Sequence, residues 1–238
     1  MSSIETIDFS NLALSLVPAL LVLLIFAYWS LNVWHSVYAL TRMLAQLALV
    51  GYALAFIFAS QDSGIILLIL SIMCTASSWI ALSTVTEQRL SLYKYALLAI
   101  TLGGGLTLAL ITQGTLHLTP WYAPHYMVPI AGMVFANSMN SVSLAAERLH
   151  AELLNKHNYT EARNTAFQAA MIPVINSLFA VGLVSLPGMM TGQILSGISP
   201  FIAARYQIMV MAMIFGSSGL SSALYLILVK PSYARLKL

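Results

Sequence analysis

The sequence predicts an all-α protein, a polytopic bundle of about seven transmembrane helices. Three observations lead to this fold class. Of the 238 residues, 60% are hydrophobic and only 7% are charged, whereas soluble domains carry roughly 25% charged residues. The apolar residues fall in long runs, each close to the roughly 20 residues that one helix needs to cross a bilayer. The basic residues are scattered near the ends of these runs, which does not suggest nucleic-acid binding.

Seven apolar runs follow one another along the chain, at about 12–34, 43–59, 64–84, 95–112, 126–144, 169–190 and 203–229. The first contains Pro18, the fourth contains three consecutive glycines at 103–105, and the sixth contains Pro173 and Pro187. Loops between the runs are too short to fold separately. We therefore expect one transmembrane domain over 1–238, surrounded by the lipid bilayer.

The distribution of Lys and Arg predicts an N-terminus outside and a C-terminus in the cytoplasm. With seven spans, nine of the ten Lys and Arg residues fall on the inner side, including Lys237, and only Arg205 falls on the outer side. Basic residues accumulate on the cytoplasmic side of membrane proteins. The outer side also collects the acidic residues Glu5, Asp8 and Asp62.

One charged segment, at about 147–168, lies between the fifth and sixth runs on the predicted inner side. Glu147, Arg148 and Glu152 would extend the fifth helix into the cytoplasm. Thr160 is expected to cap a second, short helix, where Glu161 would sit favourably at the positive end of the dipole. Two interpretations stay open: a solvated helical hairpin, or a docking surface for a cytoplasmic partner.

The motifs of several enzyme classes are absent from the sequence. It contains no G-x-x-x-x-G-K-[ST], no H-E-x-x-H and no G-x-S-x-G, which argues against a nucleotide-binding P-loop, a zinc protease or a serine hydrolase. A membrane enzyme would need a clustered nucleophile, base or metal site. His117 and His125 flank an outer loop but form only an incomplete metal site. Whether the chain holds a metal is left open.

Uncharged polar residues stand out in the fifth run. Asn137, Asn140 and Ser141 are spaced i, i+3 and i+4, so they share one helix face. They could make hydrogen bonds between helices, or they could line a path with the oxygen ligands that hard cations prefer. Asn176 and Gln193 are further candidates for such a path.

The segment 181–200 predicts a broken helix within the membrane. Pro187, Gly188, Gly192, Gly197 and Pro200 would interrupt a helix at depth, which is tolerated where the backbone faces protein or a wet cavity. This marks a candidate gate or hinge, the alternative being a kinked helix with a tight outer turn. Met189 and Met190 lie in the same segment and are added to the candidate path, although methionine more often fills gaps in packing.

Several stretches together resemble one family. The most specific is L-P-G-M-M-T-G at 186–192, accompanied by YQIMVM at 206–211 and PIAGMVFANSMN at 129–140. RMLAQLALVGY at 42–52 and AAMIPVINS at 169–177 agree with it. These motifs resemble the permease subunits of FetB-type iron exporters, whose relatives include plant aluminium-tolerance permeases.

The resemblance implies the permease subunit of an ATP-binding-cassette exporter in a bacterial cytoplasmic (inner) membrane, moving iron or another metal outward. Two copies would pair with two copies of a separate ATPase, which would bind ATP and Mg²⁺, so this chain would need no cofactor and would not itself be an enzyme. Thr160, Glu161 and Arg163 would couple to that partner. The alternative is a stand-alone secondary transporter or channel, for which one expects a buried acidic relay that the sequence lacks.

Overall fold

The computed structural model describes residues 8–60 and 62–235, in two compact units, Met1–Ala59 and Ser60–Leu238. Glu5 and Lys237, which entered the predicted charge distribution, lie outside the described residues.

The first unit contains three helices, α1 (Phe9–Leu14), α2 (Val17–Tyr28) and α3 (Val33–Ala59). Pro18 stands in the first turn of α2, where proline's missing N–H costs no hydrogen bond. A short turn separates α2 from α3, and Ser30 adopts a positive φ of 55° there. The first predicted run therefore ends earlier than expected, and the second begins earlier.

The second unit contains the remaining helices, with a 3₁₀ turn at Thr86–Gln88 and a π-helical turn at Leu110–Thr115. The helices are α4 (Ser63–Ala81), α5 (Arg89–Ala109), α6 (Pro124–Leu154), α7 (Tyr159–Ala180), α8 (Gly188–Leu195), α9 (Pro200–Leu228) and α10 (Lys230–Arg235). Helix α9 packs mainly against α5 and α6, and α6 also contacts α4 and α7. Asp62 caps α4 by accepting a hydrogen bond of 2.7 Å from the Gly64 N–H.

Among the described residues, six helical segments are long and apolar enough to cross a membrane: Ser10–Tyr28, Val33–Ala59, Ser63–Ala81, Arg89–Thr115, Pro124–Leu154 and Pro200–Tyr233. The predicted all-α, multi-pass fold is confirmed. The other predicted run, at 169–190, is divided between α7, which ends at Ala180, and α8, which begins at Gly188. The seven predicted runs therefore correspond to six long helical spans and one run that is divided between two helices.

Helices α5, α6 and α9 meet in a glycine–serine seam, formed by Gly103, Gly104, Ser138, Ser217 and Ser221. A Cβ atom on Gly103 would lie only 2.6 Å from the Ser221 backbone nitrogen, and one on Gly104 would lie 3.3 Å from Ser138 Oγ. Ser138 Oγ donates to the Ser217 carbonyl at 3.3 Å and accepts from Ser221 Oγ at 3.1 Å. Small residues let helix backbones approach closely in membranes, so the glycines serve packing here.

The charged segment at 147–168 forms a helical hairpin. Helix α6 continues to Leu154, as predicted, but α7 is one 22-residue helix rather than a short one. Thr160 does not cap it. The cap is Asn158, which has an extended backbone and whose side-chain Oδ1 accepts a hydrogen bond of 3.0 Å from the Glu161 N–H. Because Asn158 occupies the N-cap position, Thr160 lies inside the first turn of α7.

Candidate functional site

A cavity of about 280 Å³ lies between α6, α7, α9 and the segment that follows α7. We call it the polar cavity because five of its lining residues carry amide or hydroxyl groups, although the others are apolar. Helix α6 contributes Asn137, Asn140, Ser141 and Leu144 to its wall. The first three share one face of α6, as the spacing of the sequence predicted, because residues three and four apart overlie one another in a helix. The sequence-based candidates Asn137 and Asn140 are therefore brought together.

The opposite wall of the polar cavity comes from α7 and its C-terminal end. Ala170, Pro173, Val174 and Ser177 form one helical stripe along α7. The segment after α7 adds Val181, Ser185 and Pro187, and α9 adds Met211 and Ile214. Ser177 and Ser185 thus place two hydroxyl groups on the wall opposite the asparagines.

The hydrogen bonds of the α6 residues describe how these side chains are engaged within the bundle. Asn137 Nδ2 donates to the Met133 carbonyl of its own helix at 2.8 Å, which leaves the amide oxygen as an acceptor. In the part of the chain that the structure describes, the side chains of Asn140 and Ser141 make no hydrogen bond. The bonds between helices are made instead by Ser138 on the neighbouring face.

The break at 181–187 is the local structure that shapes this site. Val181 ends α7 in an extended conformation, and Gly182 follows with a positive φ of 83°. The Gly182 N–H donates to the Ser185 carbonyl at 3.0 Å, and the Ser185 N–H donates to the Ala180 carbonyl at 3.2 Å. Pro187 then caps α8. The predicted break within the run at 169–190 is confirmed.

Two of the residues expected to cause the break do not cause it. Gly188 is the first residue of α8 and Gly192 lies inside that helix, so the expectation that they interrupt a helix is wrong. The left-handed positions belong to Gly182, which was not among the predicted breakers, and to Gly197, which was, with φ of 83° and 88°. Only glycine adopts such φ values without strain. The signal available in the sequence was Gly182, five residues before Pro187.

The other candidate path residues are distributed differently from the prediction. Asn176 is exposed and does not line the polar cavity, whereas its neighbour Ser177 does. Met189 and Gln193 are half-buried in α8 and line neither this cavity nor the next one. Gln193 Oε1 is buried without a hydrogen-bond partner among the described residues. Sequence reasoning did not select Ser177 or Ser185 for the site.

A second, apolar cavity of about 460 Å³ lies beside the first. Met190 of α8 lines it, together with one stripe of α9 and residues around the end of α7. The α9 residues are Ala204, Gln207, Ile208, Met211, Ala212 and Phe215, and those around the end of α7 are Leu178, Val181 and Gly182. Met190 lines this cavity, whereas Met189 lines neither of the two cavities described. Val181 and Met211 line both cavities.

The hairpin between α6 and α7 carries the residues predicted to couple to a partner. Arg163 lines a groove of about 230 Å³ with Asn164, Phe167 and residues of the last turns of α9. Thr160 and Glu161 are exposed in the first turn of α7. The groove therefore includes one of the three predicted coupling residues and lies where α7 begins beside the C-terminal part of α9.

An ion network braces the hairpin. Glu152 is buried, with its residue 8% exposed, and pairs with Arg148 at 2.6 Å. His157 Nε2 lies 3.5 Å from the other Glu152 oxygen, and His157 Nδ1 lies 3.8 Å from Glu161. A buried carboxylate needs such partners, so the turn has a defined shape.

A metal centre built from charged ligands is not found in the described residues, which contain no group of three or more His, Cys, Asp or Glu side chains able to hold an ion. His117 and His125 are therefore not completed into such a site. The polar cavity offers uncharged amide and hydroxyl groups instead.

The fold and the site define a multi-pass helical membrane protein with an open cavity, lined by uncharged residues, between α6, α7 and α9. The chain belongs to the family described as Uncharacterised protein family (UPF0014), whose model matches residues 9–233.

Curated relatives agree with this family. The chain is 34% identical over 196 residues to the UPF0014 membrane protein slr1647 of Synechocystis, covering 76% of each chain. It is 32% identical to the Probable iron export permease protein FetB of Escherichia coli, covering 89% of this chain and 86% of the relative. It is 31% identical to Protein ALUMINUM SENSITIVE 3 of Arabidopsis thaliana, covering 84% and 77%. The resemblance seen in the sequence is confirmed. No solved structure matches the chain.

Proposed function

We propose that this chain is the permease subunit of an ATP-binding-cassette exporter that moves iron or another metal out of a bacterial cytoplasm across the inner membrane. The observation that carries the proposal is the polar cavity, where Asn137, Asn140 and Ser141 face Ser177 and Ser185. The similarity to a relative named as a probable iron export permease supports the metal as cargo.

The chemistry of the polar cavity suits a transient cargo site. Amide and hydroxyl oxygens are ligands for hard cations. Because the lining residues are uncharged, they would hold a cation weakly, and a transport site must release what it binds. Asn140 and Ser141 need not give up an existing hydrogen bond within the described chain to engage a cargo.

Energy would come from a second protein. The sequence has no P-loop motif, so ATP and Mg²⁺ would be bound by a separate cytoplasmic ATPase, with two permease copies pairing with two ATPases. The hairpin and the Arg163 groove would dock that ATPase, which requires the N-terminus outside and the C-terminus inside. Thr160 and Glu161, exposed beside the groove, would add polar contacts to the docked partner.

The proposal is tested by co-purifying the chain with the ABC ATPase encoded beside its gene and measuring ATP turnover in lipid, with and without ferrous iron. We expect a stable complex whose turnover changes when iron is added. A chain that purifies alone, with no ATPase bound, would overturn the exporter assignment and favour a stand-alone transporter or channel.

A charge-reversal pair provides a matched control for the docking surface. Arg163→Glu should release the ATPase because the groove would then present the opposite charge. Arg205→Glu should leave the complex intact, since Arg205 lies in the second turn of α9, at the other end of that helix from the groove. Equal loss of the complex in both variants would show that the groove is not the docking site.

A further inference from the structure

The polar and apolar cavities share two wall residues, Val181 and Met211. The polar cavity lies toward α6 and the apolar cavity toward α8 and the stripe of α9 that begins at Ala204. A side chain that borders two adjoining spaces forms a partition between them. The two cavities are therefore neighbours separated at Val181 and Met211.

Helix α9 places Met211 at the border of two of its faces. Gln207, Met211 and Phe215 follow one another at four-residue intervals along the apolar cavity, whereas Ile214, three residues after Met211, faces the polar cavity. Met211 is half-buried. Its unbranched thioether side chain has several rotatable bonds and adapts to different shapes, which suits a partition that must move.

The opposite side of the partition belongs to the break. Val181 is the last residue before Gly182, and the segment 181–187 contributes residues to both cavities. A change in the backbone at Gly182 would therefore move the walls of both spaces together. Residues at element ends commonly absorb the backbone changes of a conformational transition.

We propose that Met211 is the gate residue between two successive compartments of one cargo path, with Val181 as its opposing contact. The proposal rests on the proposed function, because it requires a cargo that enters the polar cavity. Cargo leaves the amide and hydroxyl oxygens of the first compartment, passes Met211, and enters the second compartment. There it meets the buried Gln207 Oε1, which has no hydrogen-bond partner among the described residues, and the thioethers of Met190 and Met211.

Cysteine accessibility tests the gate. Cys74 is the only cysteine of the chain, so a Cys74→Ala background allows single-cysteine variants. Met211→Cys is compared with Met209→Cys, which is also half-buried but lines neither cavity. Both are labelled in proteoliposomes, together with the ATPase, by a small cationic methanethiosulfonate, without nucleotide and after trapping with ATP and vanadate.

We expect the labelling rate of Met211→Cys to differ several-fold between the two states, while that of Met209→Cys stays the same. Equal rates for Met211→Cys in both states, or equal changes at both positions, would overturn the gate. A purely structural role of Met211 would leave the labelling rate independent of nucleotide.

A leak assay separates the gate from the exporter. Met211→Ala should let ferrous iron escape from loaded vesicles that contain the permease alone, several-fold faster than wild type, whereas Met211→Leu should restore the barrier because it keeps the side-chain volume. If vesicles that contain Met211→Ala retain ferrous iron as well as wild-type vesicles do, Met211 is not the gate, even if the permease binds the ATPase. If Met211→Ala leaks iron but the permease binds no ATPase, the result would support Met211 as the gate and contradict the exporter assignment.

Discussion

Two neighbouring faces of α6 are packed in opposite ways. On one face, Ser138 meets α5 and α9 in the glycine–serine seam, where its hydroxyl contacts both Ser217 and Ser221. On the other face, Asn137 and Asn140 border an open cavity of about 280 Å³. Both faces carry small or polar residues, so the residue types on α6 do not decide between contact and cavity.

The helices opposite α6 determine whether a face of α6 is tightly packed or borders a cavity. Opposite Ser138, Gly103 brings the α5 backbone so close that a Cβ would lie 2.6 Å from the Ser221 nitrogen. Opposite Asn140, α7 carries Pro173 and ends at Ala180, and the chain continues as the break. A continuous helix with glycines can approach closely, whereas a helix that stops leaves space beyond its end.

The largest expected effect is on the stability of the glycine–serine seam. Gly103→Ala should lower the free energy of unfolding by about 1–3 kcal/mol, because overpacking at a close helix contact forces the backbones apart. Thermal unfolding in detergent, followed by size-exclusion chromatography of the surviving protein, measures the change. Gly105→Ala is the control, since a Cβ there meets nothing within 4 Å. Equal loss of stability in both variants would show that the seam does not depend on close approach.

On the open side, Asn140→Leu should fold and insert as wild type but reduce metal export, because the cavity loses an oxygen ligand without losing a structural hydrogen bond. Export from everted vesicles and the unfolding temperature are measured together. Asn176→Leu is the matched control, being an exposed Asn that does not line the cavity. Undiminished export in Asn140→Leu would remove this residue from the path, and a loss confined to Asn176→Leu would place the path elsewhere.

The smallest effect is expected for Ser138→Ala, which removes one donor and one acceptor from the seam. Hydrogen bonds between membrane helices average about 0.6 kcal/mol, so the unfolding temperature should fall slightly while export persists. Ser143→Ala serves as the comparison, because Ser143 lies on the same helix and its side chain makes no hydrogen bond in the described part of the chain. If Ser138→Ala reduced export as much as Asn140→Leu does, the division of α6 into a packing face and a cavity face would be contradicted.

Sequence reasoning reached the membrane class and most helices because these depend on local properties. Long apolar runs require a lipid environment, and a 3.6-residue period places Asn137, Asn140 and Ser141 on one face wherever that helix lies. The extension of α6 to Leu154 followed from the charged residues beyond the apolar run. The break in the sixth run was also foreseeable, since glycine and proline are concentrated there.

Only the tertiary structure decided which face of each helix meets which partner. Asn176 and Ser177 are adjacent in sequence and both exposed, but the orientation of α7 about its axis places only Ser177 on the cavity wall. The same holds for the helix break, where Gly182 adopts the left-handed conformation while Gly192 lies inside α8. Met211 became a shared wall only because α9 passes both cavities. Local sequence determines helices and their faces, whereas neighbours distant in sequence determine what each face contacts.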